Sequence, residues 1–176
     1  MYTLREYIRH EIFGGKKVTL PWLRLLYMRM ISPSVDAIYL IRKYQILLHS
    51  NKCKLRTAWL QNKLVRKYGI FVGTTQIDIG LHLPHPNGII FGKNVKLGKN
   101  ARVFQQVTFG GKVRGDAKKG NQPSIGDDCE FYKGATVLGK IHVADRTLVG
   151  ANAVLLQDTV EDGVYVGTPA RNIKNQ

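Results

Sequence analysis

"IGDDCEFYKGATVLGKIHVADRTLVGANAVLLQ", Ile125 to Gln157, repeats itself every six residues. Ile125, Phe131, Val137, Val143, Val149 and Leu155 are all large and apolar, and the same count upstream gives Phe91, Leu97, Val103 and Phe109. In a chain that is 44% hydrophobic, ten of ten in one phase would arise by chance in roughly three cases in ten thousand. The position four further on is mostly a smaller apolar residue, as at Val95, Ala101, Val107, Cys129, Ala135, Ile141 and Ala153. Glycine often follows the large residue (Gly92, Gly98, Gly110, Gly126, Gly150), where it permits turns that a Cβ would hinder.

A six-residue unit of one short strand and one turn cannot bury its own apolar side chain, so it must stack on copies of itself. Three units per coil make a triangular parallel β-helix, with the aliphatic column inside. A β-sandwich would instead show period-two alternation with turns every 8–12 residues, which this stretch does not. The count breaks once: Phe109 and Ile125 are sixteen residues apart, and the surplus within "GGKVRGDAKKGNQPS" is polar, basic and rich in glycine. An extruded loop over about 110–124 is expected there, as part of a binding face or as a passive surface loop.

Counting backwards from Phe91 lands on His85 and then Ile79, within "LHLPHPNGIIFG", Leu81 to Gly92. An unpartnered imidazole in an apolar column would cost about 1–3 kcal/mol. Either the chain bulges and presents the ring to a cleft, where histidine suits general-base work, or something buried hydrogen-bonds it. The flanking prolines and Asn87-Gly88 favour the bulge. His82 lies on neither inward position. "HLPH" offers two imidazoles to zinc, with His142 the one further histidine in the repeats, which is a weak metal signal.

Residues 1–69 read differently. Apolar positions recur at helical spacing in "PWLRLLYMRMI", with Leu23, Leu26, Tyr27 and Met30 on one face and Pro21 in the first turn. Further helices are expected across "SVDAIYLIRKYQILLHS" and "KLRTAWLQNKLVRKYG", capped by Ser34 and stopped at Gly69. The chain of 176 residues thus divides into a basic α-helical region, 1–69, and a mainly β region, 70–176, with a tail from about 161.

The formal net charge of +15 is uneven. Residues 1–69 carry 14 Lys/Arg against Glu6, Glu11 and Asp36, hence +11. Such a cap suits an anionic membrane leaflet or a negatively charged glycan, or is simply a solvated helix face. No nucleic-acid-binding module is recognisable. Charges interrupt the N-terminus and every long apolar stretch, so neither a signal peptide nor a transmembrane helix is expected, and two distant cysteines fit a reduced, cytoplasmic setting.

The stretches "HPNGIIFG", "VFQQVTFGG", Pro123 to Asp158 and "VYVGTPARNIK" together resemble the serine acetyltransferase-like branch of the hexapeptide-repeat acyltransferases, which also contains polysaccharide O-acetyltransferases. The resemblance covers roughly residues 70–174. It implies a left-handed β-helix assembled as a homotrimer, with active sites between subunits and a dimer of trimers as an option. It implies acetyl-CoA as co-substrate, no metal, and His85 as the base that deprotonates the acceptor hydroxyl. Gly110, Gly111, Lys112, Lys133, Gly150 and Ala151 would lie along the cofactor, with Arg171, Lys174 and the loop cations Arg114, Lys118 and Lys119 available to its phosphates.

The departures concern the acceptor. Serine acetyltransferases carry an aspartate before the catalytic histidine, where Pro84 stands, and an Arg-His pair before the P-x-I motif, where Asn121 and Gln122 stand. Their histidine-orienting carboxylate would align near Ile70, leaving Asp78 as the nearest aspartate in sequence. Neutral amides suit sugar hydroxyls, so a carbohydrate acceptor on a bacterial surface polysaccharide is expected, touched by His82, Asn121, Gln122 and Asp78. The alternatives are serine O-acetylation, a non-catalytic scaffold, and a hydratase of the γ-carbonic anhydrase type with His82 and His85 as metal ligands.

Overall fold

The six-residue period becomes three parallel sheets in the computed structural model, which describes residues 2–17, 19, 21–50 and 53–174. Short helix α1 (Leu4–Tyr7) runs into a π-helical turn at Ile8–Ile12, followed by α2 (Pro21–Ile31), α3 (Pro33–Ser50) and α4 (Lys54–Tyr68). Gly69, left-handed at φ 63°, ends α4. The coils begin with β1 (Phe71–Val72), β2 (Gln76–Ile77), β3 (Ile90–Phe91), β4 (Lys96–Leu97), β5 (Arg102–Val103) and β6 (Thr108–Gly110). After a loop holding the single-turn helix α5 (Asp116–Lys119) come β7 (Ser124–Ile125), β8 (Glu130–Phe131), β9 (Thr136–Leu138), β10 (His142–Val143), β11 (Leu148–Val149), β12 (Val154–Leu155), β13 (Val164–Val166) and β14 (Arg171–Asn172).

Successive strands go to successive faces of a prism: β1-β3-β6-β9-β12 on a first sheet, β2-β4-β7-β10 on a second, β5-β8-β11-β13-β14 on a third. All neighbours pair in parallel except β13 with β14. The result is the left-handed parallel β-helix, with helices covering its first coil. All ten residues of the six-residue count are at most 4% exposed. Phe91 and Phe109 stack at 5.7 Å, and Phe131 meets Phe109 edge-on at 4.8 Å. Cys129 fills a smaller inward slot, where burial pushes its thiol up to about 11.

Three expectations change. Upstream of Phe91 the true register is Ile77 opposite Leu97, and His82 bridged to Arg102, which sets Leu83 level with Val103. Ile77 and Leu83 are buried, whereas Ile79 is half-buried and His85 exposed. Leu83 and Phe91 stand eight residues apart, and the two surplus residues are the bulge that expels His85 from the column. Secondly, Gly92, Gly98, Gly126 and Gly150 serve close packing between coils: a Cβ on Gly98 would meet the Gly126 carbonyl and lie 2.5 Å from Asp127 Oδ1. The positive φ falls two residues later, on Asn94, Asn100, Asp128 and Asn152.

The third change is at Ser34. Its hydroxyl does not cap α3 but reaches across to the first coil, donating to the Leu83 carbonyl at 2.6 Å, while the Ser32 hydroxyl accepts from Val35 N at 3.4 Å. Helices and coils share one core in which Ile38, Ile41 and Tyr44 of α3 meet the strands. Arg42, 1% exposed at its side chain, ties them together. It donates to both oxygens of Glu11, to Gln45 Oε1, and to the carbonyls of Ile77 (2.7 Å) and Asp78 (2.6 Å). Its guanidinium also lies 4.1 Å from the centre of the Tyr7 ring.

Candidate active site

The bulge that expels His85 is held from both sides. Ser34 Oγ donates to the carbonyls of Leu83 (2.6 Å) and Pro84 (3.2 Å), and Gly88 N donates to the Tyr68 carbonyl (2.9 Å). Asn87 N donates to the His85 carbonyl (2.8 Å), and Gln106 N of the next coil to the Asn87 carbonyl (2.8 Å). Pro86 is buried while His85 is exposed, so the prolines fix the backbone and leave the imidazole outside. Among the described residues no group hydrogen-bonds the His85 ring. Its neighbour is Phe104, 6.2 Å between centroids, which stacks on Tyr132 at 4.9 Å. A solvent-facing imidazole on a braced backbone beside an aromatic shelf is able to accept a proton from a hydroxyl laid against that shelf.

Sequence reading missed this shelf, although it left a signal: Phe104 and Tyr132 occupy the post-aliphatic position where glycine usually stands. Beside them lie two buried polar atoms with no partner among the described residues, Arg102 Nε and Gln105 Oε1. Arg102 reaches Glu130 at 3.9 Å and stands 5.7 Å from the Phe104 ring. His82 faces the same side; burial and then the Arg102 charge push its pKa below the ordinary value, with Glu130 opposing.

The other acceptor candidates are placed differently. Asp78 turns at the corner between the second and third sheets, where its Oδ1 accepts Ile79 N at 2.7 Å and its carbonyl accepts Arg42. It therefore does not orient His85, which stands at the corner between the third and first sheets. Asn121 and Gln122 lie inside the extruded loop. Asp116 accepts from Lys112 N and Val113 N, both at 2.8 Å, and from Asn121 Nδ2 at 3.2 Å. Those bonds outweigh desolvation and hold the Asp116 carboxyl below its usual range, the Val113 bond contributing most. Gln122 is 7% exposed, its amide donating to the Asn121 carbonyl. Both amides take part in folding the loop. Asn94 Nδ2, donating to the Ala117 carbonyl, pins the loop to the coil beneath.

The cofactor candidates fall on two edges of the prism. Lys133 and Gly150-Ala151 occupy, on later coils, the corner at which His85 stands on the first. Gly110, Gly111 and Lys112 open the loop at the next corner, between the first and second sheets. The whole width of the first sheet separates the two sets. Lys112, Lys133, Arg171 and Lys174 are exposed cations, and Gly139 N donating to the Gly110 carbonyl keeps the loop base narrow. His142 lies in β10 on the second sheet, away from His82 and His85, so the three imidazoles are not assembled in one chain. No metal-binding cluster of His, Cys, Asp or Glu occurs among the described residues, and no helix there is long and apolar enough to cross a membrane.

No protein-family model matches the chain. A serine acetyltransferase of Bacillus subtilis is 38% identical over 89 residues, 51% of this chain and 40% of the relative; one of Staphylococcus aureus is 34% identical over 94 residues, 53% and 43%. The chain thus spans well under half the length of these curated relatives. Among solved structures, a serine acetyltransferase in complex with CoA superposes with a TM-score of 0.72 at 27% identity, covering 96% of this chain and 66% of that one. The Neisseria gonorrhoeae serine acetyltransferase in complex with serine gives 0.76 at 26%, covering 96% and 68%. The fold is that of the serine acetyltransferase-like hexapeptide-repeat acyltransferases.

Proposed function

We propose that the chain is an acetyl-CoA-dependent O-acetyltransferase, with residues 70–176 as its catalytic unit and 1–69 as a cap that braces the His85 corner. The observation that carries this is His85 itself, turned out of the column at a braced corner with both ring nitrogens free. In the reaction, His85 takes the proton of an acceptor hydroxyl as that oxygen attacks the thioester carbonyl. The carbon–sulfur bond breaks, the acetyl group stays on the acceptor, and CoA leaves as the thiol, taking the proton back from the imidazolium. Lys112, Lys133, Arg171 and Lys174 are suited to the cofactor's phosphates. Since His85 and the loop lie on different edges, the reading includes a homotrimer in which the loop of one copy faces the His85 edge of the next.

The acceptor in this reading is a sugar hydroxyl of a capsular, O-antigen or exopolysaccharide precursor. The Phe104–Tyr132 shelf offers flat apolar area to the C–H face of a pyranose, and the carboxylate beside it, Glu130, faces Arg102 at 3.9 Å. A second reading, transfer to L-serine, is favoured by the names of the relatives and by the serine-bound neighbour. Free-thiol release with sugars and with L-serine separates the two. Sugar-dependent turnover that falls about 10²–10⁴-fold in His85→Ala, with acetyl-CoA binding retained, is the expected result. Serine-dependent turnover alone would transfer the assignment to the second reading, and failure to bind acetyl-CoA would end both.

A further inference from the structure

Helix α2 turns the apolar face read from its periodicity outward. Trp22, Leu23, Leu26, Tyr27, Met30 and Ile31 are all exposed, Trp22 by 64%, Tyr27 by 62% and Met30 by 79%. At 100° per residue these six fall within one half of the helix circumference. The half-buried Leu25, Met28 and Arg29 face the rest of the cap. A contiguous apolar face of this kind marks a contact site.

What covers it follows from the charge around it. Neither α2 nor α4 contains a carboxylate, and between them they carry Arg24, Arg29, Lys54, Arg56, Lys63, Arg66 and Lys67. Exposed Lys16 and Lys17 precede α2. The acids of this half are taken up elsewhere: Glu11 and Asp36, 0% and 4% exposed at their side chains, are buried against Arg42 and against Arg29 and Lys67, while Glu6 closes the capping box of α1. α4 repeats the arrangement on a smaller scale, with Leu55 (85%) and Trp59 (59%) exposed beside Arg56 and Lys63. A second copy of the same face would set cation against cation with no carboxylate to pair. A bilayer supplies what the face lacks on both counts, hydrocarbon at headgroup depth for Trp22, Leu26 and Met30, and anionic phosphate for the rim.

We propose that α2 is an interfacial membrane anchor, lying in the headgroup region of an anionic bilayer with its Trp22–Leu26–Met30 stripe inserted and Arg24, Lys16 and Lys17 on lipid phosphates. The inference stands independently of the acceptor assignment and of the chemistry at His85. The test is co-sedimentation of the full chain with vesicles of phosphatidylcholine alone and of phosphatidylcholine mixed with phosphatidylglycerol. The expected result is at least about tenfold stronger partitioning onto the mixed vesicles, reversed by high salt, with a blue shift of tryptophan emission that Trp22→Phe diminishes. Leu26→Glu combined with Met30→Glu, on an exposed face, is expected to lower that partitioning about tenfold or more while leaving the melting temperature unchanged. Failure to bind the mixed vesicles, or equal binding by wild type and the double variant, would overturn the proposal. So would a double variant whose mass in vesicle-free solution is half that of wild type, because a second copy would then be the occupant.

Discussion

Replacing Arg42 by methionine tests how the helical cap and the first coil are joined. The side chain is 1% exposed and donates to Glu11, Gln45 and the carbonyls of Ile77 and Asp78. Methionine fills much of the volume but leaves the Glu11 carboxylate, 0% exposed, with only Gly80 N (2.8 Å) and Leu81 N (2.9 Å). Removing one member of a buried pair costs about 3–5 kcal/mol, because the other charge stays desolvated. With a urea slope of about 2 kcal/mol/M, the midpoint falls by about 1.5–2.5 M. Unfolding followed by circular dichroism at fixed protein concentration reads this directly. Glu11→Gln in the same background removes the orphaned charge and is expected to recover part of the loss, an interaction energy of about 1–3 kcal/mol in the double-mutant cycle. A cost under about 1 kcal/mol for Arg42→Met, or additive singles, would refute the view that this pair carries the junction.

Three further outcomes are expected. Gly98→Ala, which drives a Cβ against the Gly126 carbonyl and Asp127 Oδ1, costs about 2 kcal/mol or more in thermal unfolding, whereas Gly115→Ala, with open space around it, costs about 1 kcal/mol from its φ of 95° alone. Burial pushes the Asp36 pKa up, but hydrogen bonds from Lys67, Arg29 and Tyr68 together hold it below its ordinary 3.8, so the carboxylate stabilises the fold above that pH. Wild type is therefore expected to lose melting temperature as pH drops below 3.8 and Asp36→Asn to lose less over that window; parallel curves would refute the coupling. Asp116→Ala frees the loop base, and trypsin cleavage after Arg114, Lys118 or Lys119 is expected to accelerate several-fold while the melting temperature of the coils stays within about 1 °C.

The β-helix was legible because its signal is a ruler: ten residues in one phase all point inward, shared among the three faces of the prism, and each proves buried. The ruler misplaced Ile79, because a count in sixes carries a residue into an inward slot even when two surplus positions have moved it out, whereas the prolines and Asn87-Gly88 around His85 marked the bulge that the structure contains. Leu83 level with Val103 fixes the size of that displacement. The surroundings of Asn121 and Gln122 were illegible for a related reason. Polar residues in a loop look available in sequence, yet Asp116 five residues earlier takes up the Asn121 amide, and the loop packs over Gln122. Periodicity showed that the α2 stripe is apolar but said nothing of what lies against it, and the structure leaves it exposed.

His85 and the loop also depend on the same regularity in opposite ways. A corner of a β-helix is short because every coil must return to its starting phase, so each surplus residue leaves the stack. Two surplus residues at one corner expose His85; ten at the next extrude the loop, since Phe109 to Ile125 spans sixteen positions in place of six. Neither insertion disturbs the inward column, because Phe91 still stands level with Phe109, and Phe109 with Val137. The fold therefore tolerates functional insertions only at its edges, and two insertions on adjacent edges of a rigid prism diverge. In the proposed homotrimer a neighbouring copy turned by about 120° would bring the loop of one chain to the His85 edge of the next.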